Sequence, residues 1–160
     1  MTDAADHRRI GVELNNSLWD RIDDGSLSPD LPISVRLEAL YAAFASTYHW
    51  IQVGTAANRA RGEHLISRVA TALGFLDEGL AHAHRCLDLV VSNPDVVEDW
   101  DLAFAHEALA RAYASTGMIE EATRHRTTAI ELTAAVADAD DREVLEIELS
   151  REPWFGLDTA

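Results

Sequence analysis

The chain holds 160 residues, of which 48% are apolar and 26% charged, enough for one compact domain and too few for two cores of ordinary size. Acids outnumber bases 28 to 13 and the formal net charge is −15, a field that repels nucleic acid and anionic lipid. All thirteen bases are arginine, so a side-chain Schiff base and a P-loop lysine are both excluded.

The single cysteine, Cys86, makes no internal disulfide, no apolar run approaches a membrane span, and residues 1–9 lack a signal-peptide core. A cytoplasmic protein with no nucleic-acid and no membrane partner is the expectation. Apolar residues recur at helical spacing almost throughout and alternating strand patterns are missing, which predicts an all-α fold of six to seven antiparallel helices in a single domain spanning 1–160.

Ile10, Leu14, Leu18 and Ile22 mark a first helix that ends near Gly25, giving an N-terminal unit over 1–25. A second helix over 34–53 carries one stripe at Leu37, Leu40, Tyr41, Phe44, Tyr48 and Ile51. It carries another at Ala39, Ala43, Ser46, Trp50 and Val53, so it is expected to pack on two sides, with Trp50 in the core. Further helices are predicted over 55–73, 76–91, 97–116 and 119–137, the first and third closed by Gly74 and Gly117. The helical hairpins thus occupy 34–137. An acidic helix over 141–151 follows, and the tail to residue 160 frays unless Trp154 and Phe155 dock.

Shifting the chain by 43 residues lays Ile66, Ala70, Gly74, Gly79, Cys86 and Leu89 on Leu109, Tyr113, Gly117, Ala122, Ala129 and Leu132. The acid pair Asp77-Glu78 falls on Glu120-Glu121, in each case at the positive end of a helix dipole. The second copy, with Leu109, Ala110, Tyr113, Gly117, Ala122 and Ala129, resembles the tetratricopeptide repeat. His106 and Arg126 depart from its usual apolar positions, and the 43-residue offset exceeds its period, so a tetratricopeptide-like superhelix or bundle is implied. The stretch through His49-Trp50, Gly54-Thr55, Asn58, Arg61-Gly62-Glu63 and Ser67-Arg68 is also similar to small uncharacterised helical proteins of high-GC bacteria. That similarity implies no activity.

By the tetratricopeptide resemblance, the first helix of each hairpin lines a concave groove, and His64, Arg68, Glu107 and Arg111 face it. Arg61, His64 and Arg68 share one helix face in the only locally cationic stretch, residues 49–68. Guanidinium groups there could hold a peptide carboxylate or phosphate bidentately, so the expected function is a non-catalytic protein- or peptide-binding module whose partner carries acidic groups. The competing reading of the same arginines is internal pairing with Glu63, Glu107 and the acidic terminal helices.

A second functional reading gathers His49, Glu63, His64 and His106 from separate helices as a metal or small-molecule site, with an enzyme as one outcome. His82 is expected on the exposed face near Glu78, and His125, between Arg124 and Arg126, makes a poor cation ligand. There is no nucleophile elbow, glycine-rich phosphate loop or Cys-x-x-Cys pair, and Cys86 falls on an interior face, so nucleophilic catalysis has little support and no cofactor is expected. Two stacked repeats leave terminal faces that a homodimer could cover.

Overall fold

The computed structural model describes residues 2–160, and among these the chain is all-helical. The elements are α1 (Ala4–Asp23), α2 (Ile33–Val53), α3 (Ala56–Ala72), α4 (Leu76–Ser92), α5 (Asp101–Ser115), α6 (Ile119–Ala135) and α7 (Ala139–Ser150). No helix among the described residues is long and apolar enough to cross a membrane. Consecutive helices pack on one another from α1 to α7, and α3 lies against both α1 and α5. α5 in turn touches α7.

One turn recurs at the ends of α1, α3 and α5. Gly74 (φ +80°) and Gly117 (φ +78°) adopt left-handed backbone; the Phe75 and Met118 N–H groups reach back to the Ala70 and Tyr113 carbonyls, at 2.9 and 3.0 Å. This is the glycine-capped Schellman arrangement, which satisfies helix-end carbonyls that would otherwise be orphaned. α1 closes in the same way, with Gly25 at φ +71° and Ser26 N–H on Arg21 O at 3.1 Å. The sequence places a helix end at each of these three glycines, and the 43-residue repeat relates the last two.

α5 begins at Asp101, four residues later than the apolar spacing suggests. The Asp101 carboxylate accepts from the Glu98 N–H at 2.8 Å and from Arg61, which folds residues 97–100 into a turn instead of a further helical turn. α7 begins two residues early, because the Asp138 side chain caps the Asp140 and Asp141 N–H groups.

The core is built on small residues. Ala83, Ala108, Ala110, Ala112, Ala122 and Ala129 are fully buried, so α3 to α6 approach closely. Larger apolar side chains, including Leu65, Val69, Leu73 and Leu109, fill the spaces beside them. The α2 expectation is corrected: Ala39, Ala43 and Ser46 are buried as the second stripe requires, yet of the first stripe only Leu40 is buried, and Tyr41, Phe44, Tyr48 and Ile51 face solvent. Trp50 is half-buried against Gly11 of α1. The tail does not fray before Trp154, which is 1% exposed and donates its indole N–H to Leu149 O.

Candidate functional site

Of the five residues singled out from sequence, the structure gathers four into one buried charge cluster. His64 and Arg68 project from α3, and Glu107 and Arg111 from α5. The four are brought together by the 43-residue repeat, since His64 and Glu107 occupy equivalent positions, as do Arg68 and Arg111. Glu107 is 0% exposed and accepts from Arg68 at 2.8 Å, from His64 Nε2 at 2.9 Å, and from Arg111 Nε. A fifth member comes from α7: Glu148 Oε1 accepts from Arg68 Nη1 at 2.7 Å. Arg111 also donates to the main-chain carbonyls of Glu148 and Pro153, at 2.8 and 2.7 Å, and its guanidinium carbon lies over the Trp154 ring, 3.9 Å from the centroid.

Two guanidinium groups thus meet two carboxylates, and the cluster is electrically balanced. Burial alone would raise the Glu107 carboxyl; Arg68 and Arg111, helped by His64, outweigh it and hold the group well below its ordinary range. Burial together with the neighbouring Arg68 brings Arg111 down to about 10, so it stays charged at neutral pH. Arg68 moves the other way because Glu107 and Glu148 outweigh its desolvation. These arginines do not line an open groove; they pair internally, and Glu148 in α7 is the partner that the sequence did not single out.

Arg61 stands apart. It forms a two-pronged pair with the buried Asp101 carboxylate, at 2.9 and 2.8 Å, and its guanidinium covers the Trp100 ring at 4.2 Å. Together with His64 it borders a cavity of about 260 Å³ whose aromatic walls are Trp19, Trp100 and Phe104. Trp19 stacks on the His64 ring and Phe104 meets it edge-on. A second cavity, of about 280 Å³, lies between α1 and α7 and is bordered by Asp23, Val144, Ile147 and Arg151. Trp19 and Phe104 belong to both walls, so the two hollows adjoin across these aromatic side chains. Arg68 and Arg111 border only a smaller hollow of about 110 Å³ beside Pro153 and Phe155.

The four residues of the metal reading do not converge. His49 bonds to His7, Glu63 to His82, His64 to Glu107, and His106 to His125. Among the described residues there is no group of three or more metal-ligating side chains. Each helix presents its histidine to a different neighbour, and that geometry removes the set. His82 is likewise not on the open surface; its ring is half-buried against Glu63. Glu63–His82 and His106–His125 are repeat-equivalent pairs, each joining the two helices of one hairpin. Cys86 is buried, and desolvation pushes its thiol far up, leaving it un-ionised and unreactive at neutral pH.

The His106–His125 contact, 2.8 Å between Nδ1 atoms, requires one ring to donate and the other to accept. Burial, then His106 and Arg124, push His125 down to about 4 from its ordinary 6.5. Between these two values the unfolded chain binds a proton that the folded chain rejects, so stability falls as pH drops from about 6.5 to about 4. Thermal melts at pH 7.5 and pH 5 should show a lower Tm at the acid pH. His125→Phe, which keeps the ring stacked on Tyr113, should weaken that dependence; an unaltered pH slope in this variant would exclude His125 as its source.

Comparison of the chain with protein-family models, with curated proteins and with solved structures found no match.

Proposed function

We propose that the chain is a non-catalytic protein- or peptide-binding module, a tetratricopeptide-like stack of three helix pairs closed by α7. Three features support this reading of the architecture. Neighbouring helices pack in order, the first helix of each pair ends in the same glycine turn, and polar pairs repeat at equivalent positions.

The observation that carries the functional reading is the pair of adjoining hollows that share Trp19 and Phe104 as walls. Aromatic-walled hollows of this size accept bulky side chains of a partner as anchors, which is where binding energy concentrates. The exposed Val144 and Ile147 on α7 extend the apolar floor. The charge of the partner differs from the first expectation. Arg61, Arg68, Arg111 and Arg151 are all paired with carboxylates of the chain itself. With these arginines paired, the long-range field is that of a molecule at −15, and this field attracts basic segments. The partner is therefore a segment with one or two large apolar anchors flanked by Arg or Lys.

Display selection of random peptides against the intact chain tests this. Enriched sequences should pair bulky apolar residues with basic ones. Their affinity should fall at least ten-fold for the double variant Val144→Arg with Ile147→Arg, whose exposed positions leave the fold intact. Peptides that bind native and double-variant chains equally, or a selection that enriches nothing, would remove the groove from consideration.

A further inference from the structure

A different face of the molecule carries the next inference. α2 contains two charged residues in its 21 positions, Arg36 and Glu38. Arg36 is turned inward, donating to Leu73 O at 2.9 Å and covering the Phe75 ring. A flank of the helix centred about 100° round from Arg36 presents Ile33, Leu37, Tyr41, Phe44, Tyr48 and Ile51. At 100° per residue these six fall within an arc of about 80°. From Leu37 onward they are spaced by alternating steps of four and three, the spacing of a two-helix seam. Every member except Leu37 is exposed, Tyr41 at 63% and Tyr48 at 58%.

We infer that this stripe is a self-association face, on which the α2 helices of two copies of the chain pack against each other about a two-fold axis. Charge at the stripe permits this occupant. A second copy carries the same −15 and is repelled over most of the surface, but a near-neutral stripe lets two like-charged molecules approach. Shape agrees with charge: in an isologous contact each tyrosine of the stripe can meet an apolar residue of the same row on the other copy. The exposed stripe extends about 27 Å along the helix. It offers on the order of 500 Å² per copy, so two copies cover about 1,000 Å², which is the lower bound for a specific interface. The contact is therefore a reversible one, and it leaves the groove between α1 and α7 open.

Sedimentation equilibrium on the full chain over a concentration series reads this directly. The native chain should reach twice the mass of one copy as concentration rises through the micromolar range. Tyr41→Glu with Tyr48→Glu should remain a single copy with unchanged helical circular dichroism. Tyr48→Ser, which adds no charge, should weaken association at least ten-fold and guards against a double variant that fails to fold. Val91→Glu, at an exposed apolar position outside the stripe, should associate as the native chain does. A native chain that stays single at ~100 µM, roughly a hundred-fold above a micromolar dissociation constant, overturns the inference and leaves the stripe to some other protein. Association that survives the double glutamate variant, or that Val91→Glu also abolishes, overturns it equally.

Discussion

Glu107→Ala is expected to destabilise the fold by about 3–5 kcal/mol, the usual cost of leaving a buried cation without its partner. For a chain of this length that corresponds to a fall in Tm on the order of 10 °C. The reason lies in the number of groups that depend on one carboxylate: Arg68, Arg111 and His64 all donate to Glu107, and all four side chains are nearly inaccessible to water. Removing it leaves two guanidinium groups facing Glu148 alone. Acid acts on the same group. Its carboxyl is held below its ordinary value of 4.5, so its contribution is fully present above about pH 4.5 and is lost as pH falls toward its lower folded value. A double variant, Glu107→Leu with Arg111→Met, should recover much of the loss because no unpaired charge remains at that pair. Thermal melts that show Glu107→Ala within 1 kcal/mol of the native chain would mean that water reaches the cluster.

Trp154→Ala is expected to cost about 3–5 kcal/mol, the range for emptying a buried aromatic site. Trp154 is the largest fully buried side chain in the molecule, and the Arg111 and Arg126 guanidinium groups lie over its ring at 3.9 and 5.0 Å from the centroid. The damage should be local before it is global. Backbone hydrogen exchange in α7 should accelerate first, while α3 and α4, whose contact with each other does not involve the tail, remain protected. Trp154→Phe should retain most of the stability. Uniform loss of protection across all helices at low denaturant would instead make α7 part of one cooperative unit with the core.

Much of the fold was legible because its turns are chemically explicit. Gly74 and Gly117 stand at left-handed positions that other residues adopt only at a cost, and the 43-residue self-similarity follows from them. The first hairpin was harder to read, since α1 and α2 share the turn at Gly25 but not the residues around it. Periodicity located both faces of α2 and said nothing about which one water would keep. An apolar stripe records that a helix has something to meet; whether the partner lies in the same chain is decided by the path of the other six helices.

The charge cluster was half legible. Arg68, Glu107 and Arg111 were tied together by the repeat, but Glu148 lies 80 residues from Arg68 in sequence and belongs to no repeat. Its acidic helix carried a signal only in bulk, as an excess of carboxylates. The histidines show the opposite failure. Glu63–His82 and His106–His125 are both separated by 19 residues, and the repeat would have paired them had it been applied to polar positions. Grouping His49, Glu63, His64 and His106 by chemistry alone ignored that each sits on a helix with its own facing neighbour.

The order in which the cluster is completed has a bearing on the birth of the molecule. During synthesis Arg68 and Arg111 emerge with only one of their two carboxylate partners, Glu107. Glu148, the Pro153 carbonyl and the indole of Trp154 reach them only after six helices have already left the ribosome. Until then these two arginines lack the contacts that α7 and the residues after it supply in the folded chain. Chains interrupted before residue 148 should consequently be recognised and cleared by the cell's quality-control proteases.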